Sequence, residues 1–364
     1  MIFQASPYHQ YKSKNKQIQS AIKKVLLSGK YILGTEVEKF ENEFARYIGV
    51  KKAISCASGT DALYIALKQL GIGPDDEILL PSHTALATVA AVKMTGAKPV
   101  YVDIKSNCYT IDPEKALLAC NKKTKALIAV HIYGQSCDMK KLMQIARAKK
   151  IKIIEDCAQA VGSLYKKKKL GSIGHVGCFS FFPTKNLGAI GDGGCIVTNN
   201  KKLANKMKRF RQYGWDEKRN TQFPGINSRL DELQAAILRI KLRRLSEENL
   251  VRNKQANFYK KKLKIKNLIL PKVCKDTFHS FHLFVIQCEK RNKLIKYLKS
   301  KNIMTAIHYR MPAHLMAGYS SNVKLPQTEK LYKRILSLPL YPELKKADQL
   351  KVVNQILNFY ENKN

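Results

Sequence analysis

The chain is expected to be α/β: a mostly parallel central sheet flanked by helices, followed by a smaller C-terminal α+β domain. Three observations support this. Its 364 residues can bury a large core and correspond to roughly two domains of about 150 residues. Hydrophobic residues make up 45% and charged residues 26%, a globular composition that excludes global disorder, a collagen and a coiled coil. Strand-like and helix-like stretches alternate through residues 51–155, with no internal repeat and no low-complexity linker. Right-handed βαβ units produce that alternation.

Taken in order, an N-terminal helix precedes a short strand at residues 51–55. Residues 61–70 have helical spacing, with Leu63, Ile65, Ala66 and Leu70 apolar. Residues 77–80 read as strand and 84–94 as an apolar helix. Residues 99–103 are strand and 112–120 helix, with Asp112 at the N-cap and Pro113 in the first turn. Strands at 126–133 and 151–155 enclose a helix at 139–149. Two more strands, 176–182 and 194–198, flank a glycine-rich stretch. A basic helix covers 202–212, and a long helix begins at Leu230 and runs through Leu245 to about Lys261. The last part offers strands at 277–285 and 303–308 and helices at 292–301 and 347–359. The chain thus divides into a large domain, residues 1–250, and a small one, residues 251–364. Ligands of such sheets bind beyond the carboxyl ends of the strands. Chemistry is therefore expected at residues 55–60, 81–84, 131–134 and 156–159.

The charge has two readings. Lys+Arg total 66 against 27 Asp+Glu, a net of +39, which suits a nucleic-acid or membrane-surface binder. The lysines are spread from Lys12 to Lys363, however, and runs such as 166–169 and 260–262 look like solvated loops and helix faces. No nucleic-acid or membrane partner is therefore expected, although a basic surface helps attract an anionic substrate. Nine scattered cysteines with no CxxC pair suit a reducing cytosol, hence a cytoplasmic protein, better than a disulfide framework. The eight histidines show no metal-ligand spacing, so no metal site is expected. Residues 1–20 lack an apolar signal core, and no apolar run approaches ~18 residues.

Three segments carry candidate chemistry. In Phe181-Phe182-Pro183-Thr184-Lys185-Asn186-Leu187-Gly188, Lys185 sits between apolar strands and glycines. It is either an exposed loop lysine or a pocket lysine that can lose its proton and attack a carbonyl. In Ile153-Ile154-Glu155-Asp156-Cys157-Ala158-Gln159, Asp156 either caps a turn or pairs with a protonated ring nitrogen. In Cys56-Ala57-Ser58-Gly59-Thr60-Asp61, a small turn opens a helix, as either an ordinary N-cap or a phosphate cradle. Taken together, a Schiff-base lysine, an acid for a ring nitrogen and a phosphate turn are the requirements of pyridoxal 5′-phosphate.

Six ordered motifs extend this reading: Leu33-Gly34 through Phe40-Glu41, Ser58-Gly59-Thr60-Asp61-Ala62-Leu63, Glu155-Asp156-Cys157-Ala158-Gln159-Ala160, Ser180-Phe181-Phe182-Pro183-Thr184-Lys185, Gly225-Ile226-Asn227-Ser228-Arg229-Leu230 and Leu338-Pro339-Leu340-Tyr341-Pro342. Through them the chain resembles, from about Lys30 to Ile356, the pyridoxal-phosphate-dependent nucleotide-sugar aminotransferases of the DegT/DnrJ/StrS type. The resemblance implies the aspartate aminotransferase (type I) fold. It implies that Lys185 carries the cofactor as a Schiff base, that Asp156 pairs with the pyridine nitrogen and that Gln159 contacts the ring-hydroxyl side. Gly59 and Thr60 amides, with Ser180, would hold the phosphate. Asn227 matches a residue that reaches a neighbouring subunit's phosphate, which implies a homodimer with shared sites. Two positions depart from the family pattern. His83 stands where a stacking aromatic is common, and its imidazole can stack but also titrates, so its protonation would tune the cofactor. Val161 stands where histidine is frequent.

Two further stretches resemble one subgroup: Pro81-Ser82-His83-Thr84 followed by Ala87-Thr88, and His308-Tyr309-Arg310-Met311-Pro312-Ala313-His314. The second is similar to a His-Tyr-x-x-Pro-x-His stretch of enzymes that aminate C3 of a dTDP-linked 3-keto-6-deoxyhexose, with Arg310 where proline is usual. That implies L-glutamate as donor and a ping-pong cycle through pyridoxamine 5′-phosphate. His308, Tyr309 and His314 would lie on the sugar side, with Arg219 reaching in from the other subunit. The C4 configuration stays open, the gluco product (Qui3N) being set ahead of the galacto product (Fuc3N), and a surface glycan such as lipopolysaccharide O-antigen or lipooligosaccharide is the expected destination. The alternatives are a 4-aminotransferase acting on a 4-keto sugar and, more distantly, a basic nucleic-acid-binding module on a transaminase fold. Dehydratase relatives replace the lysine with histidine, and Lys185 argues against that branch.

Overall fold

A computed structural model describes residues 1–361 of the chain. Three helices, rather than the one expected, precede the first strand: α1 (Pro7–Lys12), α2 (Asn15–Ser28) and α3 (Thr35–Ile48). Gly29 ends α2 and Gly49 ends α3, both with positive φ, where glycine carries no Cβ penalty. The amphipathic α3 buries Val37, Phe40, Phe44 and Ile48.

The alternation follows: β1 (Lys52–Cys56), α4 (Gly59–Gln69), β2 (Glu77–Pro81), α5 (Leu86–Met94), β3 (Lys98–Val102), α6 (Pro113–Ala119), β4 (Thr124–Val130), α7 (Met139–Lys149) and β5 (Lys152–Asp156). Asp112 caps α6, its carboxylate accepting from the Glu114 amide at 3.0 Å. The helix expected from residue 84 starts at Leu86, because Ala85 is extended and serves as the N-cap. The strand expected to reach residue 133 ends at Val130. Its chain then turns through a short 3₁₀ segment, Ile132–Gly134. A small hairpin, β6 (Leu164–Tyr165) and β7 (Lys168–Lys169), leads to β8 (Val176–Ser180) and β9 (Gly194–Thr198). These strands build a seven-stranded sheet in the order β1-β9-β8-β5-β4-β2-β3. Only β9 runs against the others, since it pairs antiparallel with both β1 and β8 while the remaining pairs are parallel. Burial of β2, β8 and β9 along nearly their whole length reflects helices on both faces.

After the sheet come α8 (Lys201–Phe210), α9 (Glu232–Leu242) and α10 (Leu245–Lys262). The single long helix expected from Leu230 is two. The break falls at Arg243 and Arg244, where Arg244 leaves helical geometry (φ −107, ψ 0). Residue 250 lies inside α10, which spans two cores: Leu245 packs with Phe40, Phe44 and Phe181, whereas Ala256 and Tyr259 pack with Phe284, Leu336 and Ile356.

The remaining elements are β10 (Leu268–Ile269), β11 (Thr277–Phe278), β12 (Phe284–Cys288), α11 (Arg291–Ser300), α12 (Pro326–Leu331), β13 (Ile335–Leu338) and α13 (Lys346–Glu361). A three-stranded sheet, β10-β12-β13, is antiparallel, and β11 joins β6 and β7 instead. The strand expected at 277–285 is therefore split. Residues 279–283 leave the sheet because other segments take their polar backbone groups: Asn186 Nδ2 donates to the Ser280 carbonyl at 3.2 Å, and the Ser280 amide donates to Ser163 Oγ at 3.2 Å. The strand expected at 303–308 is absent. Ala306 exchanges one pair of hydrogen bonds with Ser337 and Ile303 bridges to Ile2. The chain then enters the cleft, and β13 supplies the third strand. Among the described residues no helix is long and apolar enough to cross a membrane.

Candidate active site

The four loops expected to carry chemistry meet at the carboxyl ends of β1, β2, β4 and β5. In β5 the side chains alternate faces. Asp156 turns towards the loops. Its Oδ2 accepts from Thr88 Oγ1 at 2.8 Å and its Oδ1 from the Ala158 amide at 3.1 Å. Thr84 Oγ1 lies 2.8 Å from Thr88 Oγ1. Because the Thr88 proton is committed to the carboxylate, Thr84 is the donor of that pair. Glu155 turns the other way and is fully buried. It accepts from His131 Nε2 (3.0 Å) and from the amides of Gly171 (2.8 Å), Ile173 (2.8 Å) and Gly174 (2.6 Å). Burial alone would raise the Glu155 carboxyl pKa. The His131 hydrogen bond and the two glycine amides outweigh burial and hold it below the usual range. His131, Glu155 and Cys157 come within metal-binding distance of one another. However, His131 Nδ1 accepts from the Cys137 amide at 3.1 Å, so its Nε2 carries the proton given to Glu155. Neither ring nitrogen is then free for an ion.

Lys185 stands on the loop after β8, its amide bonded to the Phe182 carbonyl at 2.8 Å. Burial drives its ammonium pKa down to about 8, against the opposing pull of Asp156. It is thus a pocket lysine with a substantial neutral fraction near physiological pH. Two histidines near it, His282 and His308, are also pushed down by burial and by the Lys185 charge, His308 to about 4.

The turn at residues 58–60 opens α4. Ser58 Oγ accepts from the Asp61 amide at 3.1 Å. The Gly59 and Thr60 amides have no acceptor among the described residues, and they point from a helix N-terminus that favours an anion. Ser180 closes the other side. A Cβ on Gly59 would lie 2.6 Å from Ser180 Cβ, so only glycine lets the two segments approach. Ser228 Oγ donates to Asp61 Oδ2 at 2.7 Å and accepts from the Ala57 amide at 3.1 Å. This fixes Asn227, which is exposed, beside the turn.

His83 Nε2 lies 2.6 Å from Tyr133 Oη, and Tyr133 Oη also donates to the His308 carbonyl. A carbonyl cannot donate, so the tyrosine proton is used there and His83 Nε2 must carry its own hydrogen. His83 Nδ1 is left as a buried lone pair with no partner. Burial, with a smaller push from His308, lowers the His83 pKa to about 4. This corrects the expectation that its protonation tunes a cofactor: the ring is neutral throughout the physiological range. Gln159 Oε1 accepts from the Tyr133 amide and its Nε2 donates to Tyr309 Oη, both at 2.7 Å. The Tyr309 hydroxyl hydrogen therefore remains available.

The other residues expected at the site are placed differently. His314 is buried with both ring nitrogens engaged, Nδ1 with Ser82 Oγ at 2.7 Å and Nε2 with Glu329 at 3.3 Å. It clamps the His83 loop and offers no free nitrogen to a ligand. Arg219 is exposed, 5.7 Å from the Trp215 ring, outside the cleft of its own chain. Thr88, Tyr133 and His282 belong to the site but were not assigned roles from the sequence. The signals for two of them lie in the 131–134 loop, which holds Tyr133, and in the Ala87-Thr88 stretch.

The arrangement offers an anion cradle, a carboxylate for a protonated ring nitrogen and a partly neutral lysine, and these fit pyridoxal 5′-phosphate. Among known proteins, residues 12–357 match the model of the DegT/DnrJ/EryC1/StrS aminotransferase family. The chain is 44% identical over 343 residues, 94% of each chain, to a dTDP-3-amino-3,6-dideoxy-α-D-galactopyranose transaminase of Aneurinibacillus thermoaerophilus. Its fold superposes with a TM-score of 0.97 on DesV of Streptomyces venezuelae, at 39% identity, over 99% of this chain and 98% of that one. It superposes with a TM-score of 0.90, at 32% identity, on NtdA of Bacillus subtilis solved with its cofactor PMP bound, over 96% of this chain and 82% of that one.

Proposed function

The chain belongs to the DegT/DnrJ/EryC1/StrS aminotransferase family, and from there we propose that it moves an amino group from L-glutamate to C3 of a dTDP-linked 3-keto-6-deoxyhexose. The product is a dTDP-3-amino-3,6-dideoxyhexose made in the cytoplasm for a surface glycan. The observation that carries the sugar class is the similarity to the A. thermoaerophilus transaminase. That relative acts in the galacto series, which sets a second reading, a Fuc3N product, beside the Qui3N expected from the sequence.

Pyridoxal 5′-phosphate is the cofactor and, when bound, supplies the electron sink for the substrate carbanion. The Gly59 and Thr60 amides and Ser180 Oγ bind its phosphate at the α4 N-terminus. Asp156, fixed by Thr88 and the Ala158 amide, holds a proton at the ring nitrogen. Lys185 Nζ takes the proton from the α-carbon of glutamate as general base, and its pKa of about 8 suits that work. His83 covers the ring as a neutral imidazole. The Tyr309 hydroxyl, oriented by Gln159, and His308 face the sugar. In a homodimer, Asn227 and Arg219 of one copy reach the phosphate and the nucleotide sugar of the other.

The test is a visible-absorbance titration. Glutamate should bleach the yellow enzyme. After the amino acid is removed, the 3-keto sugar alone should restore the colour, and gluco and galacto acceptors would then be compared by rate. Return of colour with the 4-keto isomer alone would move the protein to the 4-aminotransferases. Failure of glutamate to bleach it would remove glutamate as donor.

A further inference from the structure

A second cavity, of about 390 Å³, lies between the loop after β3, the start of α7, the β6–β7 hairpin and residues 274–277. No residue of the candidate active site lines it. Five lysines, Lys105, Lys140, Lys141, Lys166 and Lys275, face it, against two acids, Asp138 and Asp276. Lys141 is paired with Glu114 at 3.2 Å, which leaves four lysines against two carboxylates, so the cavity presents a positive rim.

Two cysteines from distant parts of the chain meet on its wall. Cys108 and Cys274 both line the cavity, and each thiol is the strongest influence on the other's pKa. Both backbones are pinned. Flanking Cys108, the Lys105 and Tyr109 amides donate to the Thr110 and Lys105 carbonyls, both at 2.9 Å. The Cys274 amide donates to Gln135 Oε1 at 3.3 Å, and its carbonyl accepts from Thr277 Oγ1 at 2.6 Å. Cys108 Sγ also lies 3.1 Å from Thr110 Oγ1. The Cys274 thiol, then Thr110 and Lys105, pull the Cys108 pKa below the usual thiol value against its burial. The other eight thiols are pushed up instead. An electropositive, pocket-lining thiol with a neighbouring thiol is the environment of a reactive cysteine.

We propose that Cys108 and Cys274 form a reversible thiol–disulfide site whose oxidant is a small disulfide bearing carboxylates, drawn in by the lysine rim. The Cys108 thiolate attacks one sulfur of that disulfide. The small S–S bond breaks and its far half leaves as a thiolate. Cys274 then loses its proton and attacks the Cys108 sulfur, which releases the second half. Two protein thiols become one disulfide, and the small disulfide is reduced to two thiols that take up the two protons. The bridge would tie the loop after β3 to the segment leading into β11.

The experiment treats the purified full-length protein with oxidised glutathione, alkylates the remaining thiols and maps peptides by mass spectrometry. The expected product is a Cys108–Cys274 crosslink that dithiothreitol reverses. Cys274→Ser should stop with one glutathione on Cys108, and Cys108→Ser should leave Cys274 unmodified. Cystamine, a disulfide carrying ammonium groups, should react at least about tenfold more slowly, with the difference shrinking in ~1 M salt. Thermal melting checks that each variant is folded. Glutathione spread over Cys120 or Cys288 in place of this pair, or no crosslink in folded wild type, would overturn the site. Equal rates with cystamine would overturn the anionic oxidant. Because the readout is covalent mass, the outcome is independent of the aminotransferase activity.

Discussion

Lys185 is the residue whose chemistry depends most on where the fold puts it. A neutral amine can attack a carbonyl and an ammonium cannot. With a pKa of about 8, the rate at which apoprotein captures pyridoxal 5′-phosphate covalently should rise about tenfold per pH unit below 8 and level off above it. Stopped-flow absorbance from pH 6 to 10 measures this, and a midpoint near the ordinary lysine value would contradict the burial argument. Thr88 acts through Asp156 as a positioning residue. Thr88→Val removes a hydrogen bond to a charged acceptor, worth ~1.5–3 kcal/mol. It should lower kcat about tenfold or more, and Thr88→Ser should restore most of it. An unchanged kcat in the valine variant would show that the Ala158 amide alone suffices. His83 carries the opposite lesson. Its identity was legible in the sequence, but its tautomer and neutrality follow from Tyr133 and the His308 carbonyl, which come from two other segments.

At the scale of elements, β5 separates two neighbouring acids into two tasks. Asp156 faces the site, whereas Glu155 anchors residues 171–174 behind it. Glu155→Gln puts an amide donor among four donors and should cost about 3 kcal/mol while leaving the Asp156 contacts in place. The pH dependence has a definite sign. The folded Glu155 pKa lies below its unfolded value of about 4.5, so its contribution is complete above that value and is lost as pH falls through the folded pKa. Below about pH 4.5, thermal midpoints of wild type should therefore drop towards those of the variant, and parallel curves would refute the assignment. The parallel strands and their helices were legible because each carries its own periodicity and caps, as Asp112 and Pro113 do for α6. Residues 303–308 look like a strand by composition, yet they find only isolated bridges, Ile303 to Ile2 and Ala306 to Ser337. Pairing depends on the neighbour, and no local pattern shows that residues 335–338 take the place.

At the scale of the whole molecule, the two cores share α10, and Asn227 and Arg219 are exposed. The proposed sharing of sites between two copies makes a sharp prediction. Lys185→Ala and Asn227→Ala should each be nearly inactive alone. Mixed and refolded together at equal amounts, they should regain about a quarter of wild-type activity, because half of the dimers then hold one intact site of two. No recovery, with mixed dimers confirmed by mass, would mean that each site is built within one chain. The net charge of +39 was legible from composition, but the gathering of five lysines around the Cys108 cavity was not.

The chain alone carried the α/β alternation, the lysine, the acid and the phosphate turn. All of these rest on short-range signals: periodicity, capping residues and the order of compact motifs. Tertiary structure decided what those groups can do. It set the Lys185 pKa by burial, the His83 tautomer by a relay through Tyr133, the engagement of His314 by Ser82 and Glu329, and the placing of Cys108 and Cys274 on one cavity. Each of these depends on the distance between groups far apart in the chain, and such distances exist only once the segments have packed.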